Sequence, residues 1–243
     1  MKIAAIADIH GNLPALDAVL ADITARGVDL TVNLGDIASG PLFPRETVQR
    51  LMPLGLPTVR GNHERQVLTF DPDRMGASDR FAAARLTADE KEWLASLPET
   101  RRIGADILLV HGTPASDLAY FLETVDGAGV RPATADEIEA RAGTAPARLI
   151  LCGHTHVPRV ARTGNGRLVV NPGSVGLQAY SDEEPVPHRI ENGSPLARYA
   201  ILDLAGEIAV ELISVTYDWE AAARTAEANG RPDWARALRT GRM

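Results

Sequence analysis

Five of the six histidines in this chain lie in short motifs rich in Asp, Asn and Gly, and each motif follows a brief apolar run. In chain order the motifs are Asp8-Ile9-His10, Gly35-Asp36, Gly61-Asn62-His63-Glu64, His111-Gly112 and Gly153-His154-Thr155-His156. An apolar run of this length, such as Ile3 to Ala7, has the pattern of a strand buried on both faces. Strand ends along one edge of a sheet converge in space. Carboxylate, amide and imidazole donors from five separate segments would then meet at one point, which is the pattern of a dinuclear metal site.

The spacing between the motifs supports that arrangement. Asn12 opens a helix with Pro14 in its first turn and an apolar face of Leu13, Leu16, Val19, Leu20 and Ile23, and Gly27 ends it. A strand over Leu30–Leu34, a helix over Pro44–Met52 and a short strand over Thr58–Arg60 complete the rhythm of βαβ units in a largely parallel sheet. Capping boxes at Thr87/Glu90 and Thr134/Glu137 open two more helices, and Ile107–Val110 and Leu149–Cys152 read as strands. Gly164-Asn165-Gly166 marks a hairpin, and Tyr199–Leu204 pairs with Ile208–Tyr217 across Ala205-Gly206. Two helices, from about Asp218 to Asn229 and from about Pro232 to Leu238, follow. The segment from Ala179 to Pro195, with Pro185, Pro187 and Pro195, reads as an exposed loop or insertion that shapes substrate access, with His188 facing solvent. No repeat or linker divides residues 1–243, so a single domain is expected.

Composition narrows the function classes. At 243 residues, 45% hydrophobic and 23% charged, the chain can bury the core of a globular enzyme. A net charge of -7 disfavours a nucleic-acid surface. The lone Cys152 excludes an intramolecular disulfide and fits a reducing compartment. The N-terminal apolar run is too short for a signal-peptide core, and no stretch is long enough to span a bilayer. A cytoplasmic protein without membrane contact is the expectation.

The chemistry resides in the set of motifs. Asp8 and His10, two residues apart, can aim at one side of an extended chain. Carboxylate plus imidazole suits a borderline divalent ion such as manganese, iron, zinc or cobalt. The Asp36 carboxylate has two oxygens and can bridge two cations, although Gly-Asp is also a common turn. Asn62 ligates only if its amide oxygen is aimed at a metal, and His63 beside it would point elsewhere, free to donate a proton. His154 and His156 flank Thr155 after a buried strand and form a ligand pair. Outside the set, Trp93, Trp219 and Trp234 read as helix packing residues and Cys152 as a small buried hydrophobe.

The order Asp-x-His, Gly-Asp, Gly-Asn-His-Glu, His, Gly-His-x-His resembles the calcineurin-like metallophosphoesterase superfamily. Asp8-Ile9-His10-Gly11-Asn12, Gly40-Pro41, Asn171-Pro172-Gly173-Ser174-Val175 and Arg198-Tyr199-Ala200 are similar to segments of its small prokaryotic branch. The resemblance implies an α/β fold, a four-layer α/β/β/α sandwich of mixed sheets. It also implies two divalent metal ions: manganese first, with iron, zinc, nickel or cobalt as alternatives. Asp8, His10 and His156 would hold one, and Asn62, His111 and His154 the other. Asp36 would bridge them and His63 would be the outer-sphere acid. The implied activity is hydrolysis of phosphate mono- or diesters of a small molecule or nucleotide through a hydroxide shared by the metals.

One departure stands out. Protein phosphatases and diadenosine tetraphosphatases of the superfamily carry Gly-Asp-x-x-Asp-Arg-Gly at the second motif, where this chain has Gly35-Asp36-Ile37-Ala38-Ser39-Gly40-Pro41. The Asp that partners the acid histidine and the Arg that grips phosphate are both missing, which argues against phosphoprotein substrates. Nothing in the sequence identifies what orients His63. A nuclease and a non-enzymatic scaffold, the use a retromer subunit makes of this fold, are the alternatives. The intact ligand set favours the enzyme.

Overall fold

Residues of the first strand alternate between two cores: Ile3 and Ala5 face one, Ala4 and Ile6 the other. That period of two, apolar on both faces, places a sheet between two packed layers. The computed structural model describes residues 1–243. Its strands are β1 (Lys2–Ile6), β2 (Leu30–Asn33), β3 (Thr100–Ile103), β4 (Ile107–Val110), β5 (Glu123–Asp126), β6 (Gly129–Pro132), β7 (Leu149–Leu151), β8 (Arg159–Arg162), β9 (Leu168–Asn171), β10 (Ala179–Asp182), β11 (His188–Glu191), β12 (Ala197–Asp203) and β13 (Ala209–Val215). The α-helices are α1 (Leu13–Arg26), α2 (Pro44–Leu51), α3 (Asn62–Thr69), α4 (Ala77–Ala83), α5 (Ala88–Ser96), α6 (Ala135–Ala142), α7 (Trp219–Ala228) and α8 (Pro232–Thr240).

Two mixed sheets form the centre, one in the order β13-β12-β1-β2 and one in the order β3-β4-β7-β9-β8. Ile3, Ala5 and Val32 of the first sheet meet Leu109, Leu151 and Val170 of the second in a shared core. The outer face of the first sheet (Ala4, Ile6, Tyr199, Ile201) packs on α1, α2, α7 and α8. The outer face of the second (Leu108, Val110, Ile150, Val169) packs on Phe121, Leu122 and α6. The result is the expected α/β/β/α sandwich. β1 and β2 run parallel, as do β4, β7 and β9. The ends of β1, β2, β4 and β7 therefore open on one edge.

Local chemistry explains the helix bounds. Asn12 caps α1 by accepting from the Ala15 N–H at 3.3 Å, and its amide also donates to the Gly176 carbonyl and the Tyr217 hydroxyl. Gly27, at φ 63°, closes α1 in the left-handed conformation. Thr87 with Glu90 and Thr134 with Glu137 form reciprocal capping boxes at α5 and α6.

The structure departs from expectation in three places. Thr58–Arg60 is not a strand. It makes a single parallel bridge, Asn33 to Thr58, because Pro57 offers no N–H and the Arg60 N–H turns to the Pro98 carbonyl. Asp8–His10 is not extended: Asp8 and His10 both take left-handed conformations after β1 ends. Ala179–Pro195 is not an exposed loop: it contains the β10–β11 hairpin, in which His188 and Ile190 point inward and His188 is only 7% exposed. The three prolines misled because they lie outside the paired residues.

Leu109 is fully buried between the sheets, whereas Arg101, opposite it on β3, is exposed. Leu109→Ala should cost about 2–5 kcal/mol of stability and lower the urea midpoint. Arg101→Ala should stay within about 0.5 kcal/mol. Equal midpoints for the two variants would contradict the two-sheet core.

Candidate metal centre

The edge where the strand ends meet is shaped by unusual backbone. Asp8, His10, Asp36, His154 and His156 all have positive φ, between 51° and 70°. Non-glycine residues rarely adopt that conformation, and it persists only where the surroundings enforce it. Here the enforcement is visible. The Asp8, Ile9, His10 and Gly11 N–H groups donate in turn to the carbonyls of Gly35, Asp36, Asp36 and Ile37. The Gly153 N–H donates to the His111 carbonyl, and the His154 N–H to the Asp8 carboxylate at 3.0 Å. Gly61 lies so close to Asp36 that a Cβ there would strike the carboxylate.

Glu64, 1% exposed, ties the second motif to the third. Its carboxylate accepts from the N–H groups of Asp36 (2.8 Å), Ile37 (2.7 Å) and Gly61 (2.9 Å). Burial, with Asp36 nearby, pushes its pKa up.

Each imidazole is oriented by one nitrogen and presents the other. His10 Nδ1 bonds the Ser39 carbonyl, His111 Nδ1 the Leu34 carbonyl and His156 Nδ1 the Leu177 carbonyl, all at 2.8 Å. Those carbonyls fix a proton on Nδ1 and turn Nε2 toward the site, where it is the atom free to ligate once it carries no proton. His10 Nε2 and His156 Nε2 face each other at 3.0 Å, with an Asp8 oxygen 3.6 Å from the latter. Two neutral imidazoles with Nδ1–H occupied cannot bond each other, so their lone pairs converge on a point that suits a cation. His111 Nε2 lies 3.2 Å from Asp36 Oδ2 and 3.0 Å from Asn62 Oδ1. His154 spends Nε2 on the Leu118 carbonyl and so turns Nδ1 inward. Donor atoms of Asp8/His10/His156 and of Asp36/His111/His154 lie within 4.8 Å of one another in each set, and Asp36 also belongs to a third set with His10 and His63. All seven sequence-expected ligands and His63 are thus on one edge, and the donor chemistry fits divalent cations.

Electrostatics agree. Burial drives the Asp8 carboxyl up to about 8 and the His10 and His154 imidazoles down to about 4, with His156 well below its usual value. Burial opposes charge at Asp36 and His111 as well, but their mutual attraction outweighs it. Asp36 is held well below the usual carboxylate range and His111 is raised to about 10.

Sequence reasoning missed the partner of His63. His63 Nδ1 lies 2.8 Å from Asp79 Oδ1, and Asp79, on α4, is 3% exposed. Burial lowers the His63 pKa, but Asp36 and then Asp79 raise it to about 9. Asp79 follows Gly76-Ala77-Ser78, which carries no motif signal; only the packing of α4 on α3 reveals it. His188 was expected in solvent, yet its Nε2 meets the Tyr120 hydroxyl at 2.9 Å, which meets the Tyr180 hydroxyl at 2.7 Å. The rings of Tyr120 and Tyr180 pack edge-on to His154 and His156. Trp93 and Trp219 pack on the main core, as expected; Trp234 packs there too, and its ring also walls the site, 6.0 Å from the His10 ring. Cys152 is fully buried. A cavity of about 780 Å³ opens over His10, Asp36, Asn62, His63, His154 and His156.

Residues 1–192 match the calcineurin-like phosphoesterase superfamily domain, and the chain belongs to that superfamily. An uncharacterized protein of Methanocaldococcus jannaschii, MJ0912, is 29% identical over 96% of this chain and 94% of its own length. A metallophosphoesterase from Sphaerobacter thermophilus is 28% identical over 99% of this chain and 100% of that one, with a TM-score of 0.75. The hypothetical protein PH1004 from Pyrococcus horikoshii OT3 shares the fold at a TM-score of 0.76 and 23% identity, covering 99% and 98% of the two chains. No helix is long and apolar enough to cross a membrane.

Glu64→Gln would replace an acceptor-only group by one that sets an amide NH2 against backbone donors. It should destabilise the protein by about 1–3 kcal/mol and weaken metal retention on dialysis. Unchanged melting and metal content would refute the tie.

Proposed function

We propose that this protein is a dinuclear-metal phosphoesterase acting on a small phosphorylated molecule, nucleotides included. The observation that carries the reading is the pair of donor sets, Asp8/His10/His156 and Asp36/His111/His154, meeting at the Asp36 carboxylate. Asn62 would complete the second set, and Asp36 would be the bridge. These residues would hold two divalent cations, manganese first, which would supply a water-derived nucleophile near neutral pH and offset charge on the phosphoryl oxygens.

The remaining work falls to side chains. The carbonyls of Ser39, Leu34 and Leu177 keep three imidazoles in the ligating tautomer. His63, cationic through Asp36 and Asp79, presents Nε2–H to the departing oxygen and gives up that proton as the P–O bond breaks. Asp79 orients the ring and balances its charge. We read residues 1–243 as one working unit, because α7 and α8 share a core with α1 and β1. The lone, buried Cys152 is in keeping with a cytoplasmic site of action.

The test is hydrolysis of p-nitrophenyl phosphate and bis-p-nitrophenyl phosphate by manganese-loaded protein. Asp36→Asn should lose metal and turnover together, and the ratio of the two rates sets monoesterase against diesterase. Metal-loaded parent protein that hydrolyses neither ester would end the reading. His63→Ala should keep its metal yet lose about 10²–10⁴-fold on alkyl phosphates, with much less loss on p-nitrophenyl esters. Asp79→Asn should shift leaving-group dependence the same way by a smaller factor, on the order of tenfold. An Asp79→Asn protein with the parent's leaving-group dependence would remove Asp79 from the mechanism.

A further inference from the structure

The cavity over the site has two unlike arms. One, beside β5 and β10, is lined by Asp182, Glu184 and Glu123, whose carboxylate accepts from Arg159 Nε at 2.7 Å. Its one guanidinium, Arg141, is committed to the carbonyls of Phe121 and Glu123 and to the Thr124 hydroxyl. The other arm lies beside His63 and is built by Ser39, Ser78 and the C-terminal helix α8 with its N-cap Arg231. Nothing in the matched family domain supplies that helix, which begins well beyond residue 192.

Three observations single out this second arm. Gly40 has no side chain, and a Cβ there would meet the Trp234 ring at 2.9 Å, so α8 fills the place a larger residue would take. Trp234 also carries Arg231 beside it, with the guanidinium 5.5 Å from the indole centroid. Arg231 is clamped: Nε and one terminal nitrogen bind Asp233, and the other terminal nitrogen binds the Ser78 hydroxyl at 2.8 Å. A guanidinium has five N–H groups, so one on each terminal nitrogen is left without a protein partner. Finally, the Ser39 hydroxyl borders the same arm, is 1% exposed and has no hydrogen-bond partner. A buried polar group without a partner in a cavity wall is expected to meet a ligand.

We propose that this arm is a subsite for a second anionic group on the leaving-group portion of the substrate, bound by Arg231 with help from the Ser39 and Ser78 hydroxyls. The inference rests on the phosphoesterase reading above. The Trp234 indole neighbours both the His10 ring, at 6.0 Å, and the Arg231 guanidinium, at 5.5 Å, and Arg231 belongs to none of the donor sets. A group attached to the scissile phosphate, not that phosphate itself, reaches it. The departing oxygen leaves on the side of His63, which is this side. Asp233 lowers the net charge but holds the fork still, and an aligned guanidinium is a strong partner for a phosphate or carboxylate. The opposite arm, where Asp182 and Glu184 stand, disfavours the same anion. Preferred substrates are therefore bisphosphates or phosphate esters bearing a further acidic group.

Adenosine 5′-monophosphate and adenosine 3′,5′-bisphosphate differ only in the second phosphate, so the test is phosphate release from each by metal-loaded full-length protein. The parent should favour the bisphosphate by about tenfold or more in kcat/KM. Arg231→Gln should abolish that preference while leaving p-nitrophenyl phosphate turnover and melting temperature within error. Arg231→Lys, which keeps the charge and loses the fork, should retain part of the preference and decides the matter if the glutamine variant does not fold. Equal kcat/KM for the two nucleotides in the parent, or an equal loss on all three esters in the variant, would overturn the subsite. If the parent hydrolyses no ester at all, the phosphoesterase reading fails by itself. Calorimetric titration with the bisphosphate then decides the subsite: binding at least about tenfold weaker in Arg231→Gln upholds it, and equal binding overturns it.

Discussion

The site depends on one backbone arrangement: the loop after β1 lies on the loop after β2 and is bonded to it rung by rung. Four successive N–H groups, from Asp8 to Gly11, find carbonyls between Gly35 and Ile37. Holding Asp8, His10 and Asp36 in left-handed conformations costs on the order of 1–3 kcal/mol each, and these bonds offset it. Glu64 then locks the far side of the second loop by taking the Asp36 and Ile37 N–H groups. Side chains two residues apart are thereby turned to a common point by left-handed turns, not by an extended backbone.

That geometry collects charges that would not otherwise share a buried space. Asp8, Asp36 and Glu64 are each at most 1% exposed. Glu64 is answered by backbone N–H groups and Asp36 by His111 and His63. Asp8 has the weakest compensation, a backbone N–H from His154 and a more distant His111, and its carboxyl rises to about 8. Around it stand imidazoles whose burial keeps them neutral. A carboxyl that resists ionisation beside lone pairs that resist protonation is resolved by a divalent cation better than by protons. The same balance leaves His63 as the one half-exposed imidazole that stays cationic, because its second carboxylate partner, Asp79, is outside the donor cluster.

Much of this was legible from residue order, and the reason is topological. Four of the five motifs end a strand, and parallel strands end on one edge, so order along the chain maps to proximity in space. The gathering of Asp8, His10, Asp36, Asn62, His111, His154 and His156 was readable for that reason, and the sandwich from the family resemblance. What escaped depends on contacts between elements with no shared signature. Asp79 looks like any first-turn acid of a short helix. His188 looks exposed among prolines until the β10–β11 register turns it inward onto Tyr120. The start of α3 at Asn62 also escaped, although Glu64, three residues past Gly61, was the helix-start signal.

The departure at the second motif shows how far a local pattern can drift while its geometry is rebuilt from elsewhere. Ser39 brings no carboxylate, yet a carboxylate stands 2.8 Å from His63 Nδ1, delivered by α4. Gly40 brings no side chain, yet its space is taken by the Trp234 ring, and a guanidinium arrives with that ring on α8. The two replacements lie far apart in the chain but close in space, since Arg231 donates a hydrogen bond to the hydroxyl of Ser78, the neighbour of Asp79. Arg231 thus links α8 to α4 by one hydrogen bond, while His63 is held by Asp79 itself. The C-terminal helices therefore wall a cavity whose donor sets all precede residue 157, and they can vary the wall without moving the donors.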